Sequence, residues 1–229
     1  MTLLASLRAK LRAAADSSRA PAMQAYMKSA MPFHGVPAPQ VRAVCKDSFS
    51  SLEYASPAGW ERDVRAIWDG ARFREERYCA LALTGVRAAR AFQTPRAMRL
   101  YEHLVVSGAW WDYVDVIATN RVGPILRAHP NGMRPLLLRW AKGANMWKAR
   151  TAILAQCRSR EATDLDFLYA CIAPSIDSKE FFLRKAIGWA LREYAYVDPQ
   201  EVARYVKKNE ARLSGLSKRE ALKWVNRKD

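Results

Sequence analysis

Apolar residues recur every three or four positions along almost the whole chain, and this spacing constrains the fold more than any other feature of the sequence. Such a recurrence lines one face of an α-helix with apolar side chains. Runs of alternating β-branched residues, which would predict strands, are almost absent. The spacing predicts an all-α fold with helices near residues 3–15, 20–31, 39–50, 57–69, 72–92, 94–107, 109–128, 131–142, 146–158, 164–173, 178–196, 199–208 and 217–226.

Capping residues mark several of the predicted helix starts. Ser56, Thr94 and Asp198 each precede a proline, the residue best tolerated at the first helical position. Near the end of the sequence, Ser217 and Glu220 have the spacing of a capping box. The connections between these helices are short, so neighbouring helices are expected to pack antiparallel.

A weak internal repeat indicates how the helices are arranged. An aromatic residue stands three or four positions before an arginine, and an alanine follows, in frames centred on positions 77, 150 and 184. Val114 takes the place of the arginine in a fourth frame. The period, in the mid-thirties, is typical of one helix pair in an α-solenoid. The repeat therefore predicts one curved domain over residues 1–229, whose concave face gathers Trp111, Asp115, Arg150 and Trp189.

The charge of the chain is strongly positive and unevenly distributed. The formal net charge is +16, and acidic residues are nearly absent from two blocks, Met1–Lys46 and Val116–Arg160. Two basic blocks on one curved surface favour a polyanionic partner. Duplex DNA is the first candidate, followed by RNA and an anionic membrane surface. A generally arginine-rich protein with solvated helix faces is the alternative.

Other functional classes find little support. No apolar run approaches the ~18 residues that a membrane span needs. The acid-poor start faintly resembles a transit peptide, but the leucine stripe there favours a first helix packed on the second. The cysteines and histidines lack the spacing of metal ligands, so we expect no metal, no cofactor, and free buried thiols at Cys45, Cys79, Cys157 and Cys171.

One short stretch combines aromatic and acidic side chains beside the second basic block. Trp111 and Asp115 are four residues apart and therefore share a helix face. From Val116 to Arg160 no other carboxylate occurs, so Asp115 stands at the edge of a long basic segment. Trp111 and Trp189 are expected to be exposed on the concave face, and the tryptophans expected to be largely buried are Trp110, Trp147 and Trp224.

Long segments of the sequence resemble one known family. The segments Ala109–Asp115, Asn145–Leu154 and Ser178–Ala195 resemble the bacterial DNA alkylation repair glycosylases of the AlkD type. Further agreement occurs at residues 26–28 and 216–221, so the resemblance extends over nearly the whole chain. A departure occurs at Ala38, where the family has a threonine that can hold a phosphate.

This resemblance implies a fold, an activity and a set of site residues. The implied fold is an α-solenoid of HEAT-like repeats that wraps duplex DNA. The implied activity is that of a monofunctional glycosylase, which hydrolyses the N-glycosidic bond of N3- or N7-alkylated purines without a deep pocket for a flipped base. The resemblance assigns catalysis to Asp115, Trp111 and Trp189, and a contact with the DNA backbone near the lesion to Arg150. Other candidates for DNA binding are Tyr26, Arg42, Lys148, Lys179 and Arg192.

Two other functions stay open at this point. The first is binding of distorted or branched DNA without excision, and the second is a scaffold whose basic face binds an acidic protein. Steep salt dependence of duplex binding would separate the scaffold from both DNA-binding functions. For the glycosylase we expect a monomer in the bacterial cytoplasm, associated with the nucleoid.

Overall fold

The computed structural model describes residues 2–225, which form helices joined by short turns. No β-strand occurs within this range, so the all-α prediction is confirmed for the part of the chain that the structure describes. The chain divides between Gln93 and Thr94 into two compact units. The single curved domain with HEAT-like repeats stays a prediction, and each unit is described by itself below.

The first unit is built from five α-helices and a short 3₁₀-helix. Helix α5 packs against α1, α3 and α4, and their apolar stripes bury Leu7, Leu11, Trp60 and Trp68 almost completely. The bounds are α1 Leu3–Ala13, α2 Ala20–Met27, α3 Ala38–Phe49, α4 Pro57–Asp69, α5 Arg74–Leu83 and the 3₁₀-helix Arg87–Phe92.

Two consecutive carboxylates at the start of α5 bind distant parts of the first unit. The buried Glu75 accepts the backbone N–H groups of His34, Gly35 and Val36 at 2.9–3.1 Å. Gly35 has a φ of +83°, a conformation in which a side chain would be strained. This carboxylate therefore satisfies buried backbone donors that no regular element pairs.

The neighbouring Glu76 ties α1 to α5. Its carboxylate, which is 0% exposed, accepts Arg8 Nε at 2.7 Å and Arg8 Nη2 at 2.9 Å, and also the N–H of Arg72. Burial alone would raise the pKa of Glu76, but the hydrogen bonds from Arg8 and Arg72 outweigh burial and lower it. The ionised pair thus anchors the first helix.

The second unit holds the segments on which the family resemblance rests. Helix α12 packs against α10 and α14, and α10 packs against α7 and α9. The bounds are the 3₁₀-helix Pro95–Ala97, α6 Met98–Gly108, α7 Trp111–Ile117, the π-helix Ala118–Val122, α8 Gly123–Ala128, α9 Pro130–Lys142, α10 Met146–Leu154, the 3₁₀-helix Arg160–Ala162, α11 Leu165–Ile172, the 3₁₀-helix Ala173–Ser175, α12 Phe181–Tyr194, α13 Pro199–Lys208 and α14 Gly215–Ala221.

The predicted helix starts were right in part. Ser56 and Asp198 cap α4 and α13, accepting the N–H of Gly59 and Glu201 respectively. Thr94 precedes only a 3₁₀-helix, and its side chain makes no capping bond. The capping box at Ser217 was wrong. Ser214 caps α14 instead, and Ser217 lies inside the helix with its hydroxyl bound to the carbonyl of Arg184.

Several predicted helices were too long. The helix expected over 72–92 ends at Leu83, and the one expected over 20–31 ends at Met27, where Lys28 adopts a left-handed conformation. The helix expected over 109–128 is interrupted by the π-helix, and Pro124 follows with no N–H to donate. The helix expected over 217–226 ends at Ala221, and its last residue lies outside the described range. No helix within residues 2–225 has both the length and the apolarity to cross a membrane.

Candidate active site

Helix α7 presents Trp111 and Asp115 on one face, as the four-residue spacing predicts. Ala109 ends α6 in a left-handed conformation with a φ of 43°, and Trp110 is extended, so the chain turns sharply before Trp111 begins the next helix. Both Trp111 and Asp115 are half-buried. The turn thus brings an indole and a carboxylate to one partly exposed surface.

Asp115 forms a two-point ion pair with Arg150 of α10. Arg150 Nε donates to Oδ1 at 2.8 Å and Nη2 donates to Oδ2 at 2.9 Å, while Nη1 donates to the carbonyl of Phe182. Arg150 is only 4% exposed, and the Asp115 side chain is 16% exposed. All three guanidinium nitrogens thus donate within the protein, and because the residue is almost completely buried, a direct phosphate contact would require Arg150 to become exposed.

The surroundings of Asp115 raise its pKa above that of an ordinary aspartate. Burial, which disfavours the charged form, is the largest cause, and the like charge of Asp112 adds to it. Hydrogen bonds and the positive charge of Arg150 act in the opposite direction but do not offset burial fully. A carboxylate whose pKa is shifted by burial and by a specific charged partner is typical of functional sites.

A π-helix, Ala118–Val122, begins three residues after Asp115. Within it, the Thr119 hydroxyl donates to the carbonyl of Asp115 at 2.9 Å. Single turns of π-helix interrupt α-helices frequently at functional sites. Here the irregular turn fixes the backbone of the carboxylate from its C-terminal side.

An aromatic cluster lies beside the Arg150 end of the ion pair. The rings of Trp110, Trp147 and Phe182 lie 5.0–6.2 Å apart, and the Arg150 guanidinium lies 6.0 Å from the Phe182 ring. Trp147 is 8% exposed, as predicted. Trp110 and Trp224 are also more than half buried, as predicted, but so are Trp111 and Trp189, which were expected to be exposed.

Trp189 lies on α12 and is half-buried like Trp111. Its indole N–H donates to Glu193 Oε1 at 3.1 Å. No hydrogen bond within residues 2–225 joins Trp189 to Asp115 or Arg150. The predicted neighbourhood is therefore confirmed for the Asp115–Arg150 pair and for Trp111 on the same helix, while the position of Trp189 beside them stays a prediction.

The residues expected to bind DNA fall into two groups. Tyr26 is 78% exposed, and Arg42 and Lys179 are also exposed, with no ion pair to any described residue. By contrast, Lys148 is paired with Glu102, and Arg192 is paired with Glu220. Tyr26 and Arg42 belong to the first unit, and the other three belong to the second. Ala38 begins α3, four residues before Arg42.

Two supports of the site were not predicted from the sequence, Glu193 and the carbonyl of Phe182. Glu193 follows Trp189 by one helical turn, and that spacing could have indicated the bond. A backbone acceptor such as the Phe182 carbonyl leaves no signal in residue type.

The cysteines are free and buried, which confirms the prediction for all four. Burial raises the pKa of Cys171 to about 12 and that of Cys157 still further. Neither thiol is therefore a nucleophile at neutral pH. Within residues 2–225 no cluster of three or more potential metal ligands occurs.

A protein-family model described as DNA alkylation repair enzyme matches residues 7–225. The chain belongs to this family. Its members are named for the repair of alkylated DNA, and this chain shares that role. The family match includes α7, α10 and α12, which carry the Asp115–Arg150 pair and Trp189.

A solved structure is also similar to the chain. It is described as a predicted DNA alkylation repair enzyme from Enterococcus faecalis, with 28% sequence identity and a TM-score of 0.83. The match covers 93% of this chain and 98% of the other. No curated protein matches the chain.

Proposed function

We propose that this repair protein is a monofunctional DNA glycosylase that removes N3- and N7-alkylated purines from duplex DNA. The observation that carries the proposal is the partly exposed Asp115 carboxylate, fixed at both oxygens and accompanied on its helix face by Trp111. The family to which the chain belongs supports a role in alkylation repair.

The chemistry of the substrate suits such a site. A purine alkylated at N3 or N7 carries a positive charge, so its bond to the sugar is already weak and no strong acid is needed to expel the base. The deoxyribose becomes cationic as the bond breaks. A fixed negative charge beside the sugar stabilises that cation. The carboxylate is already oriented before the bond breaks, so no reorganisation is needed as the positive charge develops. Asp115 supplies the charge and also orients the attacking water.

The indoles add to this stabilisation. Trp111 and Trp189 are half-buried, so each leaves part of its ring available to a ligand. The face of an indole attracts cations by about 0.5–2 kcal/mol, depending on desolvation. Packed against the deoxyribose, both rings would favour its developing positive charge over the neutral ground state.

Arg150 has a different part in this proposal from the phosphate contact that the family resemblance implies. Because both Asp115 oxygens accept its N–H groups, Arg150 keeps the carboxylate ionised and fixes its plane. The Phe182 carbonyl, which accepts from Nη1, fixes the orientation of the guanidinium. Phosphate binding then falls to exposed cations such as Lys179 and Arg42.

Release of N7-methylguanine from a methylated duplex by the purified protein tests the proposal. The expected result is release of the free base with an intact abasic strand, since a monofunctional glycosylase does not cut the backbone. A protein that binds the duplex but releases no N7-methylguanine or N3-methyladenine would refute the proposed activity.

Binding of distorted or branched DNA without excision is the second candidate. The observation that favours it is the same ion pair, since Arg150 already occupies both oxygens that a cationic sugar would face. This function predicts tight binding to branched DNA that is unchanged in Asp115→Asn, together with no base release by either protein.

A further inference from the structure

Glu193 accepts the indole N–H of Trp189, one of the two tryptophans in the proposed site. The distance between Nε1 and Oε1 is 3.1 Å, and the two residues face the same side of α12 one turn apart. Both side chains are half-buried. An indole has one N–H group, so this bond fixes the rotation of the ring about its attachment to the helix.

We propose that Glu193 is a positioning residue for base excision, which holds the Trp189 indole in the plane that faces the sugar. The inference rests on the proposed glycosylase function. Glu193 does not touch the substrate and acts through Trp189 alone.

The surroundings of Glu193 connect it to the proposed site. The buried thiol of Cys157 experiences, after the dominant effect of burial, the negative charges of both Glu193 and Asp115. Cys157 follows α10, which carries Arg150, and Cys157 and Glu193 line the same small cavity.

A small cavity lies beside Glu193. The cavity encloses about 10 Å³ and is lined by Cys157, Arg158, Ala190, Glu193 and others. A space of this size holds at most about one water molecule and no nucleobase. The cavity therefore admits no nucleobase beside Glu193, and the bond to Trp189 is the contact through which this residue can act on the site.

Glu193 differs from Glu201 and Glu220, two other glutamates of the second unit, in its partners. Glu201 is paired with Arg204, and Glu220 is paired with Lys185 and Arg192. Glu193 forms no ion pair with any residue in the described range. No cation therefore competes with the indole N–H for the Glu193 carboxylate. A carboxylate acceptor polarises the indole and increases the electron density of its ring. A richer π face attracts a cationic sugar more strongly.

Nuclear magnetic resonance tests the bond directly. The Trp189 indole N–H resonance, assigned by its loss in Trp189→Phe, should shift and exchange faster with solvent in Glu193→Ala. Glu193→Gln keeps an acceptor oxygen and should stay close to wild type in exchange rate. Glu201→Ala, which removes a carboxylate bonded to the Tyr169 hydroxyl, is the matched control and should leave the Trp189 resonance unchanged. An unchanged resonance in Glu193→Ala would overturn the inference.

Single-turnover excision of N7-methylguanine, measured with protein in excess, tests the functional part. Glu193→Ala should slow excision about three- to tenfold, no more than the loss of an indole face, with little change in binding to undamaged duplex, and Glu193→Gln should recover most of the rate. In the Trp189→Phe background, Glu193→Ala should cost little more, because the two residues act as one unit. Full additivity, or a wild-type rate in Glu193→Ala, would refute the positioning role. Failure of the wild-type protein to release any base would instead refute the proposed glycosylase function.

Discussion

Asp115 and Arg150, which are 35 residues apart in the sequence, meet through two parallel hydrogen bonds of 2.8 and 2.9 Å. Such two-point pairs are stronger and more directional than single hydrogen bonds between neutral groups. The pair joins α7 to α10, and the third bond from Arg150 reaches the carbonyl of Phe182 on α12. Three helices are thus fastened at the carboxylate that we propose to be catalytic.

Replacement of Asp115 by asparagine should abolish most excision while leaving the fold intact. Asparagine has nearly the same shape but no charge, so it cannot stabilise a cationic sugar. We expect the single-turnover rate for N7-methylguanine to fall by about a hundredfold or more. Asp112→Asn, compared at neutral pH, is the matched control, since it removes a carboxylate from the same helix without removing a hydrogen bond between Asp115 and Arg150. A full rate in Asp115→Asn would rule out the proposed role of the carboxylate.

The acid limb of the excision rate should lie above the pKa of an ordinary aspartate, which is about 3.9. Burial raises the pKa of Asp115 in the folded protein, so the carboxylate is protonated and loses its negative charge at a higher pH than usual. Arg150 lowers this pKa and Asp112 raises it. Arg150→Gln should therefore move the acid limb to higher pH, and Asp112→Asn should move it to lower pH. A pH profile of the single-turnover rate measures both shifts, and shifts in the opposite directions would contradict the assignment of the limb to Asp115.

Much of this site follows from the sequence because its parts are local or periodic. Four-residue spacing on a helix suffices to place Trp111 beside Asp115, and the repeat frame predicts that position 150 lies close to position 115. The burial of Arg150 could not be predicted, because it depends on the carbonyl of Phe182 and on rings that meet only in the folded unit.

The cap of α14 is another feature that sequence spacing alone could not predict. Ser217 and Glu220 satisfy the capping-box spacing, but Ser214 also stands three residues before a backbone N–H that it can accept, that of Ser217. Local pattern does not distinguish the two starts. The earlier one prevails in the structure, where the Ser217 hydroxyl finds a tertiary acceptor on α12 at the carbonyl of Arg184.

Replacement of Trp111 by alanine should slow excision much more than it weakens binding to undamaged duplex. An undamaged nucleotide has no cationic sugar, so loss of the indole face costs little in the ground state. A loss of about 1–2 kcal/mol of transition-state stabilisation corresponds to roughly a tenfold slower rate or somewhat more. Trp111→Phe keeps an aromatic face and should lie between the two proteins. Equal losses in rate and in affinity would show that Trp111 only anchors the duplex.

The Arg8–Glu76 pair should contribute strongly to the stability of the first unit. Glu76 is fully buried and Arg8 is 17% exposed, so removal of the arginine leaves a buried charge without its main partner. We expect Arg8→Met to lower the free energy of unfolding at pH 7 by about 3 kcal/mol, measured in urea. Arg12→Met, on the exposed side of the same helix, is the control and should change it by less than about 0.5 kcal/mol.

The same pair should make stability depend on pH in one direction. The folded protein lowers the pKa of Glu76, so the unfolded chain binds a proton first, at a pKa of about 4.3. The stabilisation is complete above that value and is lost as the pH falls through the lower folded pKa. Between pH 7 and about pH 3 the wild-type protein should therefore lose more stability than Arg8→Met. Identical pH dependence in the two proteins would exclude the pair as its source.

The exposed cations, rather than the paired ones, should set the salt dependence of DNA binding. Each phosphate neutralised by a lysine or arginine contributes a slope of about −0.9 to a plot of log K against log salt concentration. Lys179 is exposed and unpaired within the described range, whereas Lys148 is held by Glu102. We therefore expect Lys179→Ala to reduce the slope by about one, and Lys148→Ala to change it much less. Arg204→Ala removes an equal charge that is already paired with Glu201, and it controls for net charge. Equal slopes for Lys179→Ala and Arg204→Ala would show that the contribution of Lys179 is only that of net charge, and that the phosphate contacts lie elsewhere on the basic surface.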